Sequence, residues 1–191
     1  MDWADIDRLV ARLRAKNQHR AAVIVLLCRS FGIRLREAIL ANPGDWQRQA
    51  RESGQIDVRE GTKGGRGKEV ARWVPVSERG RIALREAVQV GNQFGGQNLL
   101  MPDETFDDLV NDGEVHRARK ILHDFGIKGY HELRAAWACE RYEEMSGATA
   151  PVLQTGASLG QKSDDPFRLT LARELGHDRV DVVAAYIGVR S

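Results

Sequence analysis

The sequence predicts a mainly α-helical α+β domain carrying one small antiparallel β-sheet near its front. Apolar residues recur at helical spacing through most of the chain. Ile6, Leu9, Val10 and Leu13, for example, stripe one face at i, i+3, i+4 and i+7. One stretch has a different texture. Gln55 to Arg59 and Glu69 to Val76 alternate polar and apolar residues on either side of Gly61, Gly64, Gly65 and Gly67, the pattern of two strands joined by a glycine-rich turn. With 191 residues, of which 42% are hydrophobic and 29% charged, the chain can bury a core of its own.

Taken in order, the spacing predicts a helix over 3–16 and a second over 18–30 that is buried on most sides. Gly32 interrupts it, and a short third helix over 34–41 stops at Asn42-Pro43-Gly44, a run of helix breakers. A short strand is expected near Trp46, followed by the two-stranded hairpin. Helices follow over 78–90, 113–125 and 130–145. Residues 146–166, rich in Gly, Ser, Thr, Gln and Pro, read as a long loop, which in a compact domain is usually functional. Two short helices over 166–175 and 179–187 close the chain, the last with Asp178 as N-cap and Gly188 as C′ residue. The whole of 1–191 reads as one domain without internal repeats.

Composition excludes several classes. Net charge is only +2 although Lys and Arg number 29, so any nucleic-acid surface must come from local clustering. Cys28 and Cys139 form no C-x-x-C pair, which argues against a zinc site or disulfide framework and for a reducing cytoplasm. The longest strongly apolar run, Ala21 to Cys28, has eight residues, where a membrane span needs about 20. The N-terminus has alternating charge in place of an apolar signal segment. A cytosolic protein without membrane association is expected. Gly61 to Lys68 lacks the first glycine and the Ser/Thr of a phosphate-binding P-loop. The acidic run from Asp103 to Glu114 matches no calcium loop and reads as a solvated face. His116 and His123 are too far apart to share a metal from one helix face.

Individual candidates each have a plainer alternative. His177, in Leu175-Gly176-His177-Asp178, precedes a helix N-terminus, where backbone N–H groups favour a phosphate; otherwise it is a capping residue. Tyr186 follows Val182 and Val183 on that helix, so on its own it reads as core. His131 and Arg134 project from one helix face, as do Arg34 and Glu37, and either pair could be solvated. Lys63 occupies the glycine-rich turn. Between Arg59 and Arg72 stand five basic residues (Arg59, Lys63, Arg66, Lys68, Arg72) against two acids, a hairpin suited to phosphate-backbone contact.

The joint order is more specific than any one piece: G-I-R-x-x-E, T-K-G-G, H-x-x-R, L-G-H and a tyrosine nine residues beyond the histidine. Together these resemble the tyrosine recombinase (phage-type integrase) family, from Phe31 to Tyr186. The resemblance implies a catalytic domain that cleaves and rejoins double-stranded DNA for integration or excision of a mobile element. Tyr186 would be the nucleophile, Arg34 and Arg134 the phosphate clamp, Lys63 the general acid, His131 a proton-transfer group and His177 a phosphate ligand. Glu37 would hold Arg34, and Arg59, Arg66 and Lys68 would contact DNA. Such chemistry requires no cofactor and no metal, and on DNA the family acts as a tetramer of subunits. Two departures stand out. The 43 positions from Arg134 to His177 exceed the family's usual spacing, and the excess is the 146–166 segment. No room precedes Gly32 for the family's N-terminal DNA-binding domain, so an isolated catalytic domain, monomeric without DNA, is expected. The alternatives are a catalytically idle DNA-binding module and a type IB topoisomerase-like enzyme.

Overall fold

The computed structural model describes residues 1–62, 70–154, 161–177 and 179–189. Helix α1 (Trp3–Ala15) starts where the Asp2 carboxylate accepts the Asp5 N–H at 2.8 Å, and it buries Ile6, Leu9, Val10 and Leu13. Helix α2 (His19–Phe31) is buried from Arg20 through Phe31. It is the central post of the fold. Truncating a wholly buried aliphatic there, such as Ile24 or Leu27, to alanine costs about 2–5 kcal/mol. Gly32 ends α2 with φ of 60°. A Cβ at Gly32 would also stand 2.1 Å from Trp137 Cε3, so backbone conformation and close packing both demand glycine.

After α3 (Leu35–Leu40) the chain departs from expectation. The strand expected near Trp46 is instead helix α4 (Pro43–Ser53). Asn42 caps it, accepting the Gly44 and Asp45 N–H groups at 3.0 and 3.2 Å, with Pro43 at the first helical position. Asn-Pro stops one helix and starts another, because proline lacks only an N–H that the first turn cannot use. Trp46 packs against Phe31 at a ring separation of 6.3 Å and donates its indole N–H to Asp57 O at 3.1 Å.

Strands β1 (Gln55–Asp57) and β2 (Trp73–Pro75) pair antiparallel with Ile56 opposite Val74. The ladder is extended by Val58 N–H to Arg72 O and Val76 N–H to Gly54 O, both 2.9 Å. The sheet is shorter than the alternation suggested, and residues 63–69 of the turn lie outside the described residues.

Helix α5 (Glu78–Gln93) is capped by Ser77. A π-helical turn (Asp108–Asp112) leads into α6 (Glu114–Asp124), and α7 (Tyr130–Ser146) follows. Helices α1, α5, α6 and α7 pack around α2. The acidic run is not uniformly solvated. Glu114 is buried, and with Glu104 it holds the buried Arg20: Arg20 Nε donates to Glu114 at 2.8 Å and Nη1 donates to Glu104.

The expected 146–166 loop is also shorter than predicted. A 3₁₀ turn (Pro151–Leu153) interrupts it, and helix α8 (Gln161–Glu174) begins within it and carries Pro166 inside. The final helix divides into a 3₁₀ segment (Val180–Val183) and α9 (Ala184–Ile187). Asp178, expected to cap it, lies outside the described residues. No helix among the described residues is long and apolar enough to cross a membrane.

Candidate active site

The site forms where α3, α7, the end of α8 and α9 meet beside the sheet. Arg34 stands at the N-cap position of α3. The Glu37 carboxylate turns back to it, accepting the Arg34 N–H at 2.7 Å on Oε2 and Arg34 Nη1 at 2.8 Å on Oε1. Glu37 is fully buried. What the sequence allowed to be a solvated i, i+3 pair is a hub. Arg72 Nη1 reaches the same Oε1 at 2.8 Å, and Arg134 Nη1 approaches Oε2 at 4.0 Å. Burial works against the charge of Glu37, but Arg72, Arg34 and Arg134 outweigh it and hold the carboxyl below its ordinary pKa.

Arg134, 1% exposed, rises from the buried face of α7. Nη1 donates to Gly32 O and Nη2 to Leu175 O, the latter at 2.6 Å. These carbonyls fix the guanidinium plane, and its Nε edge faces Tyr186, donating to the phenol oxygen at 3.2 Å. The guanidinium carbon lies 5.2 Å from the Tyr186 ring centre. Burial and the neighbouring Arg72 draw the Arg134 pKa down to about 10, which leaves it cationic at neutral pH.

His177 follows Gly176, whose φ of 69° turns the chain out of α8. Its Nε2 sits 3.4 Å from Arg34 Nη2, 3.5 Å from Arg134 Nη2 and 3.5 Å from the Tyr186 hydroxyl. Guanidinium nitrogens only donate, so these contacts place the ring proton on Nδ1. Burial, then Arg34, Arg134 and Arg72, lower the His177 pKa to about 4. The imidazole is therefore neutral at pH 7. His131 is exposed, its ring centre 5.2 Å from that of Tyr186. Burial, then Arg134 and Arg34, lower its pKa as well.

Arg34, Glu37, His131, Arg134, His177 and Tyr186 thus converge. Tyr186 is 9% exposed and Val183 is fully buried, so the ring belongs to the core while its hydroxyl meets Arg134 and His177. Arg59 lies apart: half exposed, it donates Nε to Asp57. Lys63, Arg66 and Lys68 lie outside the described residues. Sequence reasoning missed the importance of Arg72, which it counted only as hairpin charge. The available signal was strand parity, since Arg72 shares a face with the buried Val74. The backbone carbonyls of Gly32, Leu175 and Glu174 had no side-chain signal at all. Guanidiniums and imidazoles around one committed carboxylate make a donor set for an anion, not for a divalent cation.

A family model described as Integrase matches residues 4–140. That span runs from α1 into α7 and includes Arg34, Glu37, Arg72, His131 and Arg134; His177 and Tyr186 lie beyond it. No curated protein and no solved structure matches the chain. The family match covers well over half of the sequence, and this chain belongs to the integrase family.

Proposed function

We propose that this domain cuts and reseals DNA strands through a covalent bond to Tyr186, serving integration or excision of a mobile element. One observation carries the reading: the phenol oxygen lies 3.2 Å from Arg134 Nε and 3.5 Å from His177 Nε2, with Arg34 on the same imidazole. A phosphodiester repels nucleophiles by its charge. Two guanidiniums preorganised at its oxygens remove that barrier and stabilise the pentacoordinate transition state. Arg34, about one-third exposed, supplies the accessible half of the clamp. Arg134, locked by carbonyls, supplies the fixed half.

The step is a transesterification. Tyr186 Oη attacks the scissile phosphorus and the bond to the 5′-oxygen breaks. The 3′-phosphate stays on the tyrosine and a 5′-hydroxyl leaves. His131 accepts the phenolic proton, and Lys63 donates one to the departing oxygen. Attack by a 5′-hydroxyl reverses the sequence and regenerates the phenol. Bond energy is conserved in the ester, so neither ATP nor a cofactor enters. Double-stranded DNA is the partner, and further recombinase subunits would join on it.

A nicked suicide duplex built on inverted repeats flanking the gene tests this. We expect a covalent protein–DNA adduct that survives EDTA and disappears in Tyr186→Phe. An adduct that persists in Tyr186→Phe would falsify the nucleophile.

A further inference from the structure

Given the reading of Tyr186 and the phosphate clamp, we infer that Arg72 is a positioning residue for that clamp, locking Glu37, and through it Arg34, to the Gly176-His177 turn. Arg72 is 5% exposed and touches three separate parts of the fold. Its Nη1 donates to Glu37 Oε1 at 2.8 Å, the oxygen that also receives Arg34 Nη1. Its Nε donates to Glu174 O at the end of α8, also at 2.8 Å. Its own N–H donates to Asp57 Oδ1 on β1 at 2.8 Å. The guanidinium thus joins the start of α3 to the turn that presents His177, and the backbone of the same residue ties it to the sheet.

The fit around it is close. A Cβ on Gly176 would stand 3.1–3.3 Å from the Arg72 side chain, so the turn of the L-G-H segment rests directly on the guanidinium. Gly61 packs against the same helix start. A Cβ there would meet Arg36 O at 2.7 Å and Glu37 N at 2.9 Å. Gly61 and Arg72 therefore both lie against the start of α3, Gly61 at the backbone of Arg36 and Glu37 and Arg72 at the Glu37 carboxylate.

The Arg72 guanidinium is not fully satisfied. Its Nη2 is buried and has no hydrogen-bond partner among the described residues. Removing one member of a buried ion pair usually costs stability, but Glu37 keeps Arg34 and Arg134 when Arg72 is replaced. Burial disfavours the Arg72 charge and outweighs Glu37, which favours it; Arg34 adds a smaller opposing effect. What an apolar residue cannot do is donate in two directions from one rigid plane. Lysine cannot do so either, because its ammonium is a point donor on a flexible stem.

Arg72→Lys keeps the charge and loses the fork, and Arg72→Met loses both. We expect each full-length variant to fold and to bind the suicide duplex with little change in KM. Adduct formation at saturating DNA should fall about 100-fold, the effect of a displacement of about 1 Å at a reacting centre. Followed by NMR without DNA, the His177 titration midpoint should rise in Arg72→Lys, because Arg34 drifts from the imidazole while the Arg72 charge remains. Wild-type turnover in both variants, or an unmoved His177 midpoint in Arg72→Lys, overturns the inference. Failure of both variants to fold overturns it too, making Arg72 a folding determinant. If the wild type itself forms no adduct, the assignment of Tyr186 fails, while the titration, which needs neither DNA nor turnover, still decides the role of Arg72.

Discussion

Two of the buried arginine networks among the described residues are built oppositely. On one side, Arg20 is held by two carboxylates, Glu104 and Glu114. On the other, three guanidiniums, from Arg34, Arg72 and Arg134, surround the single carboxylate of Glu37. Burial opposes the charge of Arg20, but its two partners outweigh it and its pKa is raised. Arg72 and Arg134 are both lowered, first by burial and then with their arginine neighbours acting against them. The first network satisfies itself. The second is left with surplus positive charge facing a tyrosine and an imidazole. On the proposed function, that surplus is what a phosphate would neutralise.

Mutation at each centre is the sharpest way to break that comparison. Arg34→Ala should lower adduct formation about 10²–10³-fold, the scale of a lost transition-state donor, with little change in urea stability. Arg20→Ala should do the reverse. It leaves Glu114 buried without its cation, at about 3–5 kcal/mol of stability, while cleavage per folded molecule stays at the wild-type rate. Similar stability losses in both would mean that the imbalance has no functional meaning.

A smaller effect sharpens it. Inorganic phosphate should raise the melting temperature of the wild type and much less that of Arg34→Ala, because an anion relieves the surplus at one centre only. At a concentration of 100 Kd the gain is about 2.7 kcal/mol. Equal stabilisation of the two proteins would place the anion elsewhere.

The smallest effect is that of pH. Folded His177 is held at about 4, against 6.5 for an unperturbed histidine. Between these values the unfolded chain takes up a proton that the folded site refuses, so stability falls as pH drops through that window. His131 shifts the same way. Urea melts from pH 7 to pH 4 should show the decline, reduced in His177→Asn and opposed by phosphate. A slope unchanged in His177→Asn removes His177 as its source.

Much of the site was legible because its side chains belong to short ordered motifs. Arg34 and Glu37 share a helix start, His131 and Arg134 a helix face, and His177 a glycine turn. Their convergence follows from how those pieces pack. Where the sequence misled, a local signal had two meanings. Asn42-Pro43 ends one helix and opens another, and the polar texture of 146–166 concealed the first turns of α8. Arg72 stood among the other basic residues of 59–72, and its parity with Val74 was the one hint that strand pairing would put it inside.

By itself the sequence determined the mainly helical character, most helix positions and the residue types available for phosphate chemistry. Those depend on interactions within about four residues along the chain, through periodicity and capping. Only the tertiary structure decided that Arg134 is fixed by the carbonyls of Gly32 and Leu175, and that Arg72 joins Glu37 to Glu174. These bonds link residues 35 to 102 positions apart, and backbone carbonyls carry no side-chain identity. No local pattern could announce them. They exist because burying a guanidinium requires acceptors, and the packed core brought these within reach.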